Sequence, residues 1–246
     1  MRYLIVADIH ANWEALEAVR RETKGEYDRI VCCGDLVGYG ADPNPVVEWV
    51  REHCTAVVRG NHDKACTGLE DLEWFNPVAR EAAIWTMKQL TPENAEYTRG
   101  LAKGPMDADG FQLVHGSASD EDEYILAPGE AEMAFAYMEK RLEFFGHTHV
   151  QGGFIWNHSR VEILPRVSPR AAELPLEIDP TCGYMINAGS VGQPRDGDPR
   201  AAYAIYDSDA GAVTYRRAEY DVAGAQKKIR QAGLPAILAD RLAAGR

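Results

Sequence analysis

The sequence predicts a single α/β domain that contains two packed β-sheets. Short apolar segments alternate with amphipathic helical segments over the first sixty residues, the middle of the chain is helical, and the second half is rich in short β-segments. Strands and helices that alternate with short connections indicate right-handed crossovers and a parallel sheet. No repeat, low-complexity segment or long linker interrupts the 246 residues, so residues 1–246 are predicted to form one domain.

The N-terminal third is predicted to hold three buried strands joined by two helices. Each strand is a short apolar run, and the three lie at Tyr3–Ala7, Ile30–Cys33 and Ala56–Val58. Asn12 is a suitable N-cap for a helix over Trp13–Glu22. Pro45 stands in the first turn of a second helix over Val46–His53, where its missing N–H costs nothing.

The middle of the chain is predicted to be a helical insertion over about residues 64–103. This stretch has helical patterns near Pro77–Leu90 and Pro92–Leu101 and no convincing strand. After it we expect a strand at Phe111–Val114, an acidic loop at residues 119–123 and a helix around Glu130–Lys140.

The second half is predicted to form antiparallel hairpins. Turn signals such as Asn157–His158 and Asp209–Gly211 separate its β-segments. Those segments are Glu143–Phe145, Val150–Trp156, Arg160–Leu164, Tyr184–Asn187, Tyr203–Tyr206 and Val213–Arg217. A short helical tail is expected within Val222–Ala244.

The charge balance limits the partners. With 38 acidic and 26 basic residues the net charge is −12, which argues against a general nucleic-acid or anionic-membrane binder, because such proteins present a basic face. A small phosphorylated substrate stays compatible, since a metal site can reverse the local field.

Five cysteines without a CxxC pair predict reduced, mostly buried thiols and a cytoplasmic protein. The apolar run Tyr3–Ala7 is too short for a signal peptide or a membrane span.

Polar side chains follow the predicted strands at the points where the strands end. They are Asp8, His10, Asp35, Asn61, His115, His147 and His149. The carboxyl ends of parallel strands lie along one sheet edge, where open α/β folds bind ligands. Asp8 and His10, like His147 and His149, are two residues apart, a spacing that directs both side chains to the same side of extended backbone.

This set of residues predicts a centre with two metal ions. One ion normally takes about four to six ligands, whereas two ions about 3.5–4 Å apart that share Asp35 would use all seven side chains. Mixed imidazole and oxygen ligands suit Mn, Fe, Zn, Co or Ni, and manganese is our first expectation. Two divalent ions and the two carboxylates leave the centre with about two positive charges, which a hydroxide and a phosphate ester would balance. The chemistry indicated is therefore phosphoester hydrolysis.

Other residues near these motifs have two interpretations each. His62 is free to donate a proton to the leaving group, with Asp63 to orient it, or it is a structural histidine. Asn12 caps a helix or contacts phosphate, Arg59 clamps a phosphate or forms a salt bridge, and Arg195 reaches the cleft or lies in a solvated turn. The helical insertion over about residues 64–103, which is rich in aromatic side chains, is a lid, a packing element or a surface for self-association into a homodimer.

These blocks, taken together, resemble the signature of the calcineurin-like metallophosphoesterases. D-x-H, GD, GNHD, a later histidine and GHTH stand in order over residues 8–149. The resemblance implies a four-layer αββα sandwich of two mixed β-sheets flanked by helices. It also implies two ligand sets that share Asp35, and it puts His62 in the proton-donor position. One set is Asp8, His10, Asp35 and His149, and the other is Asp35, Asn61, His115 and His147. The NAGSVGQPR block at residues 187–195 is similar to the compact bacterial and archaeal phosphodiesterase branch.

Our leading hypothesis is a two-metal enzyme that hydrolyses a small phosphodiester or phosphomonoester. A metal-bridging hydroxide would attack phosphorus directly, and no covalent phosphoenzyme is expected. A nuclease of the same family would need a basic track for the nucleic-acid backbone, and a protein phosphatase would need a broad groove. A protein-interaction scaffold with a degraded metal site is the alternative from another class, and the intact ligand set with His62 argues against it.

Overall fold

Two six-stranded mixed sheets form the centre of the computed structural model, which describes residues 1–246. In chain order the strands are β1 Arg2–Val6, β2 Arg29–Cys32, β3 Cys54–Val57, β4 Met106–Ala108, β5 Phe111–Leu113, β6 Leu142–Phe145, β7 Gly152–Trp156, β8 Val161–Ile163, β9 Glu173–Glu177, β10 Gly183–Asn187, β11 Ala201–Asp207 and β12 Ala212–Ala218. The first sheet has the order β3-β2-β1-β11-β12-β9, and the second has the order β4-β5-β6-β10-β7-β8.

Eight α-helices accompany the sheets. They are α1 Trp13–Glu22, α2 Pro43–His53, α3 Asn61–Cys66, α4 Pro77–Gln89, α5 Pro92–Arg99, α6 Pro128–Phe135, α7 Val222–Gln231 and α8 Ala236–Ala244. As predicted, Asn12 caps α1, because its side-chain oxygen accepts the N–H of Ala15 at 3.1 Å. No helix is both long enough and apolar enough to cross a membrane.

The strand pairings confirm the predicted crossovers and hairpins. β1, β2 and β3 pair in parallel, as do β5, β6 and β10. The hairpins β7–β8 and β11–β12 are antiparallel and turn at the expected Asn157–His158 and Asp209–Gly211. The carboxyl ends of β1, β2 and β3 therefore lie along the same edge of the first sheet, and those of β5 and β6 lie along one edge of the second.

Apolar side chains form the four layers that the fold class requires. Alternate residues of β1 face opposite sides: Leu4 and Val6 pack with α1 and α2, whereas Tyr3 and Ile5 pack between the sheets. On the far side, Phe145 of β6 packs with α6. Helix, sheet, sheet and helix are thus stacked in the predicted αββα order.

Several elements differ from the prediction. Two short edge strands, β4 and β9, were missed, and β9 contains Pro175, which only an edge position tolerates. Helix α3 was also missed, α6 ends at Phe135 instead of continuing to Lys140, and the C-terminal tail is two helices. Beyond Phe135 the backbone N–H groups of residues 136–138 bond three residues back, and the Gln112 side-chain oxygen accepts those of Glu139 and Lys140, so the helix does not continue.

Residues 64–103 are helical, as expected, and return to the first sheet. α4 packs with α7 and α8, and the N–H of Arg59 donates to the carbonyl of Ala102 at 2.9 Å. Trp74 lies at the surface with 87% of its area exposed, while self-association through this region stays a prediction.

All five cysteines are free thiols, and four of them are buried, as the composition predicted.

Candidate active site

The predicted ligands meet where strands of both sheets end, on strongly turned backbone. Five of them have positive φ angles, a conformation that costs most side chains about 1 kcal/mol or more: Asp8 at 51°, His10 at 48°, Asp35 at 54°, His147 at 64° and His149 at 58°. The expectation that extended backbone aligns the residues two apart was therefore wrong. β1 ends at Val6, and the left-handed turns after it direct Asp8 and His10 into the site.

Four histidine rings point a nitrogen lone pair into the centre. On each ring one nitrogen lies at 2.6–3.0 Å from a backbone carbonyl, to which it donates: Nδ1 of His10 to Val37, Nδ1 of His115 to Cys33, Nδ1 of His149 to Gln193 and Nε2 of His147 to Asp122. The carbonyl accepts only, so it fixes the tautomer and leaves the other nitrogen without a proton.

These free nitrogens face one another at distances that no hydrogen bond explains. Nε2 of His10 lies 3.0 Å from Nε2 of His149, and Nε2 of His115 lies 3.0 Å from Nδ1 of His147. Two lone pairs at that separation repel each other, and a cation between them would bind both. The donor chemistry therefore fits borderline divalent ions.

Two carboxylates complete the fit. Oδ2 of Asp8 and Oδ2 of Asp35 are buried without any hydrogen-bond partner. Burial, and then the neighbouring Asp35 carboxyl, raise the pKa of Asp8 well above its usual range, and burial raises the pKa of Asp35 to about 8. Nearby positive charge favours the ionised form of such a group, so a bound cation would keep both carboxylates charged.

The ligand atoms fall into two groups that share Asp35. Those of Asp8, His10, Asp35 and His149 lie within 4.8 Å of one another, and so do those of Asp35, His115 and His147. Asn61 adjoins the second group, with its Oδ1 at 3.2 Å from Nε2 of His115. The structure thus brings together all seven side chains proposed as ligands, in the two sets that the resemblance implied.

His62 stands beside this centre in an aromatic environment. The centre of its ring lies 4.2 Å from that of Tyr39 and 5.4 Å from that of Phe75, and its Nδ1 is buried without a partner. Gly38, at φ 88°, makes room for the ring, because a Cβ at residue 38 would lie 2.6 Å from Nδ1 of His62. Burial, and then the charge of Arg195, lower the pKa of His62 to about 3.

The predicted role of Asp63 as the residue that orients His62 was wrong. Its carboxylate accepts the backbone N–H groups of Asp35, Leu36 and Gly60 at 2.9 Å and that of Val37 at 3.3 Å, and no bond joins it to the imidazole. Both residues lie in the first turn of α3, where adjacent side chains point about 100° apart. Asp63 therefore fixes the loop that carries Asp35, the residue that the two groups of candidate ligand atoms share.

Two of the three predicted substrate contacts have their polar groups engaged within the protein. The Asn12 side chain caps α1 and donates to the Gly192 carbonyl at 2.8 Å. Nε and Nη2 of Arg59 donate to the two carboxylate oxygens of Glu121, each at 2.9 Å. Of the two interpretations of Arg59, the structure therefore shows the salt bridge. The Asn12 amide and the two paired nitrogens of Arg59 are therefore not available to bind a phosphate at the centre.

Arg195 is the third predicted contact, and it does lie at the mouth of the site. Its guanidinium lies 5.8 Å from the centre of the Tyr39 ring, which packs against His10 and His62. Tyr124, which the sequence reasoning missed, packs against His147 with ring centres 3.9 Å apart. The acidic loop that starts four residues after His115 was the available signal for Tyr124, and Phe75 belongs to the aromatic-rich insertion for which a lid was one interpretation.

A family model matches this architecture over most of the chain. Residues 1–211 match the model described as the calcineurin-like phosphoesterase superfamily domain. The chain belongs to the calcineurin-like phosphoesterase superfamily. The family resemblance that the motifs carried, and the fold that it implied, are therefore confirmed.

Relatives of this phosphoesterase match it from end to end. A metallophosphoesterase crystal structure from Sphaerobacter thermophilus shares 42% identity and a TM-score of 0.87, covering 100% of this chain and 99% of the other. An uncharacterised protein of Methanocaldococcus jannaschii is 36% identical over 98% of this chain and 97% of its own length. A hypothetical protein from Pyrococcus horikoshii has the same fold, with 20% identity, a TM-score of 0.78 and coverage of 100% and 98%.

Proposed function

We propose that this phosphoesterase uses two divalent metal ions to hydrolyse a small phosphodiester or phosphomonoester, with His62 as the proton donor. The observation that carries the proposal is the pair of facing imidazole lone pairs, at 3.0 Å each, around the partnerless oxygens of Asp8 and Asp35. Manganese is our first choice of ion, since imidazole and carboxylate ligands accept it. Ions bound there would neutralise phosphoryl charge and lower the pKa of a nearby water.

The side chains around the centre define what the protein does for the reaction. Water adds to phosphorus, the ester P–O bond breaks, and the leaving oxygen needs a proton. His62 stands beside the ligands with one ring nitrogen unpaired, and it is neutral in the free protein because its pKa is about 3. A phosphate bound beside it brings negative charge that opposes the effect of Arg195, raises the pKa and allows the imidazole to carry the proton it transfers.

The net charge and the aromatic side chains of the site favour small substrates. The protein has a net charge of −12, which disfavours long polyanions such as nucleic acids. Tyr39, Phe75 and Tyr124 surround the histidines with ring surface suited to a flat leaving group. Water is the nucleophile, so no serine or cysteine is required. Burial raises the pKa of Cys32, Cys33 and Cys66 well above its usual range, which makes these three thiols poor nucleophiles.

The test compares two chromogenic esters. Metal-free protein is titrated with Mn²⁺ and assayed on bis-p-nitrophenyl phosphate and p-nitrophenyl phosphate, with bound metal measured in parallel. We expect diester turnover that requires about two ions per chain and falls about 100-fold or more in His62→Asn, which keeps both ions. His158→Asn, at an exposed surface histidine, is the matched control and should stay active.

Each other outcome changes the proposal in a defined way. Turnover of the monoester alone would make the protein a phosphomonoesterase. Full activity in His62→Asn would remove this residue from the mechanism. Two bound ions without turnover of either ester would refute the proposed hydrolysis of small esters and favour the scaffold alternative.

A further inference from the structure

Two arginines at the mouth of the site converge on one neutral oxygen. Nη2 of Arg195 and Nη1 of Arg241 lie 3.0 Å and 3.3 Å from Oε1 of Gln193. Arg195 lies in the loop after β10, while Arg241 comes from the C-terminal helix α8. Gln193 is buried, and its own backbone carbonyl holds the ligand His149 at 2.6 Å. Gln193 therefore links both arginines to the candidate metal ligand His149.

Neither arginine has a carboxylate partner within ion-pair distance. Two other arginines with little exposed surface are neutralised, since Arg59 pairs with Glu121 and Arg217 pairs with Asp196. Two like charges that share one amide oxygen repel each other, and burial followed by the charge of Arg195 lowers the pKa of Arg241. Such a pair is stabilised by an anion, for which the guanidinium fork is suited.

The reacting phosphoryl group does not account for both arginines. Two divalent ions with Asp8 and Asp35 already leave about two positive charges, enough for a hydroxide and one phosphate. Arg195 and Arg241 add two more charges outside the ring of ligands, next to His149. A second anionic group on the substrate would use them.

We propose that Arg195 and Arg241 bind a second phosphoryl group of the substrate, adjacent to the one that is hydrolysed. This inference rests on the proposed function and narrows its substrate class to compounds that carry two phosphoryl groups. The pair selects such a substrate over the same compound with one phosphoryl group. Arg241 is the residue that decides the selection, because its guanidinium is hydrogen-bonded only to Gln193, whereas the guanidinium of Arg195 also packs against the Tyr39 ring.

The test measures binding in the His62→Asn variant, so that turnover is not needed. AMP and ADP serve as probes that differ by one phosphoryl group, and their dissociation constants are measured by calorimetry at a buffered free Mn²⁺ concentration. We expect ADP to bind at least about tenfold more tightly than AMP, and we expect this ratio to fall about tenfold when Arg241→Gln or Arg195→Gln is added. Arg230→Gln removes a charge from the neighbouring α7, where Arg230 pairs with Asp240, and is the matched control.

A purely structural role for the pair would give a different pattern. Loss of support for Gln193 and His149 would weaken AMP and ADP binding equally and lower the bound metal, which is measured in the same samples. That result would overturn the inference. So would equal affinity for AMP and ADP before Arg241 is changed, or a fall in the affinity ratio in Arg230→Gln as large as in Arg241→Gln. Ester turnover in the parent protein tests the proposed function separately, so the two proposals fail independently.

Discussion

Glu143 is a buried acid whose replacement should change how stability depends on pH. It lies on β6 with none of its surface exposed. One carboxyl oxygen lies 2.6 Å from the side-chain nitrogen of Gln112, and the other has no partner. Burial raises the pKa of Glu143 from its ordinary 4.5 to about 8. The folded protein thus keeps a proton on this group at neutral pH, whereas the unfolded chain releases it.

The size of the effect follows from this difference in pKa. Between pH 4.5 and pH 8 the folded state binds more protons than the unfolded state, so the stability contributed by this group falls as the pH rises. A difference of about 3.5 units at 1.36 kcal/mol each gives a total of about 5 kcal/mol. Glutamine has the same shape and stays neutral, so Glu143→Gln removes this loss. Between pH 5 and pH 9 the free energy of unfolding of the variant should rise by about 4 kcal/mol relative to that of the original protein.

Urea unfolding at pH 5 and pH 9, followed by circular dichroism, measures this difference. Subtracting the two proteins at each pH cancels the contributions of all other titrating groups. Glu177→Gln, at an exposed residue of the edge strand β9, is the control, and its difference between the two pH values should stay within about 0.5 kcal/mol. A change below about 1 kcal/mol for Glu143→Gln would show that the carboxyl is ionised in the folded protein and refute the reasoning.

Three further predictions concern the site and its support. Arg59→Met should lower the free energy of unfolding by about 1–2 kcal/mol, measured by urea unfolding, because Glu121 loses its two-pronged partner, and it should leave KM for the diester within about twofold. Gly38→Ala should reduce turnover about 100-fold while bound metal stays constant, since the added methyl group displaces His62; unchanged turnover would contradict this packing. Chelation of ions held at 100 times their dissociation constant should lower the free energy of unfolding by about 3 kcal/mol per ion, as seen in paired melts with and without EDTA.

The buried strands and the clustering of the candidate ligands were predictable because both have strong local signals. β1 and β2 are apolar runs, and the polar residues that follow them stand out against that background. The edge strands were not predictable in this way. β4 has three residues and β9 contains a proline, so pairing with a neighbour, and not propensity, makes them strands.

The backbone geometry and the rim of the site were beyond sequence patterns. Asp and His adopt positive φ angles more often than most residues do, but residue type does not tell which of them will do so, and here both Asp8 and His10 do. Asp63 looked like a partner of His62 because the two are adjacent in sequence, but the turn of α3 separates them. Arg241 lies far from every motif, and only the docking of α8 brings it to Gln193.

The carbonyl groups that orient the four histidine ligands come from distant parts of the chain. Cys33 and Val37 follow β2, Asp122 follows β5, and Gln193 lies between β10 and β11. The lone pairs can converge only after both sheets have formed and packed, so an ion cannot nucleate this chain as zinc nucleates a finger. Binding of the proposed ions would therefore follow folding, and the ion that the folded chain acquires would depend on cellular supply at that time.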